Sequence, residues 1–125
     1  MKVKGVVFSG IGEGAHYVKL YSEGLKKLLG EMPYPGTLNV ILENCFNSLV
    51  SNITPIVLHP PSENLGAVYV YLGYLCKLKV LVIRPSITKH DCRVVELVSN
   101  VHLRGLLGLR DGNVVELEIV NWNPN

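Results

Sequence analysis

Aspartate is scarce in this chain: Asp91 and Asp111 are the only two in 125 residues. Neither stands in a His-Arg-Asp or Asp-Phe-Gly triplet, and no Gly-x-x-x-x-Gly-Lys-Ser/Thr occurs. A Walker-type or protein-kinase phosphoryl-transfer apparatus is therefore excluded. Cysteine is also sparse, with Cys45, Cys76 and Cys92 far apart and no C-x-x-C. That offers neither a zinc site nor a disulfide framework, and three buried or half-buried thiols in a reducing cytoplasm are the expectation. Apolar runs are short. None reaches about 18 residues, and Met1-Lys2-Val3-Lys4 leads straight into a strand-like run rather than a signal-peptide core. No membrane partner is expected. Nor is nucleic acid, because the net charge is only +2.

What is present describes a compact globular chain. The apolar fraction is 48% against 18% charged, the balance of a folded rather than a disordered sequence. The length suits one domain, residues 1–125.

Glycine is concentrated where it carries most information. Val3-Lys4-Gly5-Val6-Val7-Phe8-Ser9 reads as a strand, and Gly10-Ile11-Gly12-Glu13-Gly14-Ala15 follows it. Such a loop can turn successive backbone N–H groups inward and admit a phosphate chain without Cβ interference. Gly10, Gly12 and Ala15 satisfy G-x-G-x-x-G/A, yet the dinucleotide fingerprint requires a helix next, inside a βαβ unit. His16-Tyr17-Val18-Lys19-Leu20 reads as a second strand, which makes the loop the tip of a β-hairpin. An ordinary glycine turn is the competing explanation.

Further along, Ser22 can cap a short helix carrying Leu25, Leu28 and Leu29, with Gly30 as its stop. Pro33-Tyr34-Pro35-Gly36 is a turn, and Thr37 to Leu42 a strand. Between Glu43 and Asn64 only a short strand near Ile56–Leu58 can be placed. Ala67–Leu72 and Leu78–Ile83 form a long hairpin. Asp91 or Thr88 can cap a two-turn helix through Val94, Val95 and Val98, which would carry Glu96. Asn100 caps another helix with Leu103, Leu106 and Leu107 inward, stopped by Gly108. Val115, Leu117 and Ile119 alternate with Glu116 and Glu118 in a last half-exposed strand, and residues 121–125 are a fraying tail. Six or so strands, short helices and no regular βα alternation predict a mainly β fold, a small closed or nearly closed barrel.

Thr37 and Asn39 share one face of their strand, with Cα atoms about 6.7 Å apart. Their two neutral oxygens make a partial shell for Mg²⁺, which takes its other ligands from phosphates and water. The alternative is a Thr and an Asn ordering a turn by local hydrogen bonds. Thr88, His90 and Glu96 lie past the proline-broken strand at Arg84-Pro85-Ser86, a natural rim for a barrel mouth. Glu96 can accept a proton, anchor a ligand hydroxyl, or stand as an exposed helix carboxylate. Arg104 can meet an anion or form a surface ion pair. His16, His59 and His102 share no ligand spacing.

The ordered set Gly10–Ala15, Pro33-Tyr-Pro-Gly-Thr-Leu-Asn-Val40, Pro85-x-x-Thr88 with Glu96, His102-Leu-Arg104 and Leu109-Arg-Asp-Gly112 resembles the archaeal CTP-dependent riboflavin kinases. The likeness runs from about residue 3 to residue 120, and Pro-Gly-Thr-Leu-Asn is its most specific piece. It implies a six-stranded cradle-loop β-barrel that transfers the γ-phosphate of CTP to the ribityl 5′-hydroxyl of riboflavin, giving FMN and CDP. By the same resemblance Gly10, Ile11, Gly12, Glu13, Gly14 and Ala15 would wrap the nucleotide, helped by Val101, His102, Leu103 and Arg104. Thr37 and Asn39 would hold Mg²⁺, and Thr88 and Glu96 would contact the flavin. Relatives with an N-terminal winged-helix DNA-binding domain exist; this chain starts at the first barrel strand. Ala15 and His16 stand where relatives often carry a larger or basic side chain, so any phosphate contact from it would be lost. A flavin- or nucleotide-binding barrel without catalysis and a DNA-binding regulator are the alternatives, the latter disfavoured by the modest charge.

Overall fold

A computed structural model describes residues 1–60, 66–86, 88 and 90–121. The fraying expected at 122–125 and the end of the irregular stretch at 61–64 lie outside them. The strands are β1 (Lys2–Phe8), β2 (Leu38–Leu42), β3 (Ile56–Leu58), β4 (Val68–Leu75), β5 (Leu78–Pro85), β6 (Val94–Val98) and β7 (Val114–Val120). The helices among the described residues are α1 (Gly14–Leu20), α2 (Ser22–Leu29), α3 (Phe46–Leu49) and α4 (Leu103–Leu107). Six strands pair antiparallel in the order β4-β5-β6-β2-β1-β7, and β7 pairs back onto β4 to close a barrel. The mainly β expectation and the closed barrel are both borne out. Strand β3 is appended to β4 outside the ring.

Alternation along each strand divides the apolar residues between two layers. Val7, Val40, Val80, Val82, Val95, Leu97, Leu117 and Ile119 fill the barrel, and Phe46 of α3 meets Tyr71 edge-on at 5.1 Å. On the outside, Val68, Val70, Leu81, Ile83 and Val98 are covered by Val18, Tyr21, Leu25 and Leu29 of α1 and α2. Each leucine buried there is worth about 1.5–3 kcal/mol.

That outer layer explains two corrections. Val94–Val98, expected as a helix, is a strand between β2 and β5, buried at all five positions: Val95 and Leu97 face the barrel core, and on the other face Val98 packs in the layer of α1 and α2. A strand covered on both faces loses its alternation, and its β-branched valines prefer the extended chain. His16–Leu20, expected as a strand, belongs to α1. The helical hydrogen bonds run on through the bend at Tyr21, whose N–H reaches Tyr17 O and whose carbonyl accepts from Leu25. Val18, Tyr21, Leu25 and Leu29 form one buried stripe, and Tyr21 Oη donates to Gly66 O at 2.6 Å. Burial raises the Tyr21 phenol above its ordinary pKa. The N-caps fall on Tyr21 and His102 rather than on Ser22 and Asn100. Cys45 and Cys92 are half-buried, but Cys76 is exposed in the two-residue turn Cys76-Lys77, where both residues have positive φ.

Candidate active site

Inward-facing Leu38, Val40 and Leu42 leave Thr37 and Asn39 on the outer face of β2. Across the ladder Asn39 pairs with Glu96 and Leu38 with Leu97, so Glu96 also points outward. Thr37 lies on the diagonal from Glu96, within reach of a long side chain, and Thr37 Oγ1 donates to Glu96 Oε1 at 3.0 Å. Glu96 is 7% exposed, not the solvated helix carboxylate considered from the sequence.

The loop after β1 lies directly over this face. A Cβ on Gly10 would stand 2.6 Å from Asn39 Nδ2, and one on Gly14 would overlap Thr37 Oγ1. At both positions a Cβ would force the facing side chain or the loop to shift. Gly12 differs: its φ is +84° and open space surrounds it, so backbone conformation alone selects it. Among the described residues no loop or cap hydrogen bond occupies the backbone N–H of Gly10, Ile11, Gly12 or Glu13. The loop opens into α1, not into a hairpin. The helix demanded by a dinucleotide fingerprint is thus present, but β1 is antiparallel to both its neighbours, which rules out a βαβ unit.

Loop, β2 and β6 enclose an open cleft of about 520 Å³. Its walls include Gly10 to Ala15, Thr37, Asn39, Thr88, Glu96 and Arg104. The cleft lies against the outer face of β2 and β6, and of the expected rim Pro85 lines it while Ser86 does not. Val101, His102 and Leu103 do not line it. They line a second cavity of about 60 Å³, which shares Gly36, Thr37 and Arg104 with the first. There His102 stacks on Tyr34 with centroids 4.8 Å apart. Thr88 Oγ1 accepts from His90 N at 3.1 Å, and the His90 ring meets Phe8 edge-on.

Arg104 forms the ion pair that was one of its two expectations. Its Nη2 lies 3.0 Å from Asp111 Oδ1 and donates to Phe8 O at 3.3 Å. Ser9 Oγ donates to the same carboxylate at 2.8–2.9 Å. Hydrogen bonds from Ser9 and then from Arg104 hold the Asp111 carboxyl below the usual carboxylate range. The group ties the start of the glycine loop to α4. Sequence reasoning passed over Ser9 and Tyr17 of the cleft wall; reading α1 as a helix would have brought Tyr17 into view.

The donor set fits a hard cation. A hydroxyl and a carboxamide oxygen on one strand face, beside a buried carboxylate, suit Mg²⁺ with its remaining ligands drawn from phosphates and water.

Comparison with known families decides the affiliation. The model of the CTP-dependent riboflavin kinase family, also described as domain of unknown function DUF120, matches residues 7–119. The chain belongs to that family. A riboflavin kinase of Staphylothermus marinus is 40% identical over 119 residues, covering 95% of this chain and 92% of that protein. One of Aeropyrum pernix is 33% identical, covering 94% of this chain and 95% of that protein. A Thermococcus kodakarensis riboflavin kinase is 36% identical over 94% of this chain, which spans only 58% of that longer protein. Family membership makes the chain a phosphotransferase of the riboflavin kinase type. No helix among the described residues is long and apolar enough to cross a membrane.

Proposed function

We propose that this protein is a Mg²⁺- and CTP-dependent riboflavin kinase, acting in the cytoplasm and releasing FMN and CDP. The observation that carries the reading is the single cleft in which the glycine loop, Thr37, Asn39, Thr88 and Glu96 converge. The backbone N–H groups of Gly10 to Glu13 receive the phosphates of the donor, which approach closely because no Cβ intervenes. The adjoining cavity with Val101, His102, Leu103 and Arg104 takes another part of the nucleotide. Thr37 and Asn39 hold Mg²⁺, whose charge offsets that gathering on the β- and γ-phosphates. Thr88 and Glu96 orient the flavin so that its 5′-hydroxyl meets the γ-phosphorus in line. Catalysis rests on positioning and electrostatics.

The test is a donor ranking: riboflavin and Mg²⁺ with CTP, ATP or GTP at equal concentration, with FMN separated and quantified. FMN should form far faster with CTP. Equal rates with all three would remove the cytidine assignment. Tight binding of riboflavin or CDP without any FMN would favour the non-catalytic barrel.

A further inference from the structure

Thr37 is proposed as a metal ligand, but a hydroxyl is a good ligand only when its proton points elsewhere. An alcohol oxygen carries one hydrogen and two lone pairs, and the hydrogen rotates to suit its surroundings. Here the rotation is constrained on two sides. Gly14 packs against Oγ1 so closely that no Cβ fits between them, and Oγ1 donates its hydrogen to Glu96 Oε1 at 3.0 Å. Glu96 is itself fixed, since it sits on a central strand of the barrel, 7% exposed and opposite Asn39 in the ladder.

We propose that Glu96 is a positioning residue for the metal: it accepts the Thr37 hydroxyl hydrogen and so turns the oxygen lone pairs toward the cation site in the cleft. The inference rests on the reading of Thr37 and Asn39 as metal ligands. It gives Glu96 a task on the nucleotide side of the cleft, distinct from any contact with flavin. Partners of this kind orient a ligand atom and typically govern metal affinity by about 10–100-fold.

The test omits flavin and activity altogether. Mn²⁺ is titrated into the protein–CDP complex and its binding followed by electron paramagnetic resonance. Glu96→Leu should weaken Mn²⁺ at least about 10-fold, near the effect of Thr37→Val. Glu96→Gln keeps a carbonyl oxygen able to accept the same hydrogen and should stay within about threefold of wild type. The double variant Thr37→Val/Glu96→Leu should bind Mn²⁺ no worse than Thr37→Val, because both changes remove one interaction. If Glu96→Leu does not fold, Glu96→Met replaces it, with the melting temperature as the check on each variant. Wild-type affinity in Glu96→Leu while Asn39→Leu is weakened would overturn the inference alone. So would losses that multiply in the double variant. Wild-type affinity in both Asn39→Leu and Thr37→Val would overturn the metal site itself, and the inference with it.

Discussion

Gly10→Ala adds one methyl group at the point where the loop meets the site. The new Cβ would stand 2.6 Å from Asn39 Nδ2 and 3.1–3.2 Å from Cγ and Oδ1. The shortest of these is about 0.8 Å inside ordinary van der Waals contact. Either the Asn39 amide or the loop must therefore move by nearly an ångström. Gly10 has no positive φ, so alanine meets no backbone strain there. Restricting the unfolded chain contributes about 0.4–1 kcal/mol of stability, which offsets part of the clash. A misplacement of about 1 Å at a reacting centre costs roughly 100-fold, or about 2.7 kcal/mol in the barrier. The expected result is a kcat/KM for FMN formation down about 100-fold, a raised Mg²⁺ requirement and a nearly unchanged melting temperature. Gly12→Ala is the matched control, because nothing lies within 4 Å of its Cβ position and only φ = +84° opposes it. Its cost is about 1–2 kcal/mol, paid in nucleotide affinity with the Mg²⁺ requirement unaltered. Steady-state rates across a Mg²⁺ series, with melting curves, separate the two. A Gly10→Ala enzyme within threefold of wild type at limiting Mg²⁺ would refute the argument.

Asn39→Leu keeps the side-chain size roughly constant and removes an oxygen ligand, so kcat should fall at least about 100-fold while riboflavin affinity changes little; the melting temperature guards against a folding defect. Because the folded pKa of Asp111 is depressed, its tie to Ser9 and Arg104 contributes stability above the ordinary carboxylate range and loses it as pH falls through the folded value. Melting temperatures of wild type and Asp111→Asn should thus differ at neutral pH and converge in acid. A gap that persists unchanged into acid would contradict the role given to that carboxylate.

The barrel was legible where one face of a strand meets solvent. Val115, Leu117 and Ile119 alternate with Glu116 and Glu118, and the sequence places that strand correctly. Gly30 and Gly108 ended their helices in left-handed conformation, as glycine commonly does. Legibility failed where tertiary packing overrides local pattern. Val-Val-Glu-Leu-Val is buried on both faces because α1 and α2 cover Val98 and the glycine loop lies over Glu96, and no local signal reveals that cover. The four-residue α3 is held by Phe46 in the core and has too few residues to show a period. The site was legible as a set of residues but not as a place. Thr37, Asn39 and the glycines were marked from their own chemistry, whereas the close approach of Gly10 to Asn39 and of Gly14 to Thr37 depends on how the loop folds over β2. The bond from Thr37 to Glu96 spans 59 residues of sequence and two strands, beyond any local pattern.

Under the proposed function, phosphoryl transfer takes place on the outer wall of the barrel, between the glycine loop and the β2–β6 pair. Crystals grown with CDP and Mn²⁺, measured at the manganese absorption edge, test it most directly through the anomalous difference map. One strong peak is expected in the cleft, against the side-chain oxygens of Thr37 and Asn39, with the diphosphate under Gly10 to Gly14. A peak inside the barrel, or a nucleotide bound away from the glycine loop, would contradict it.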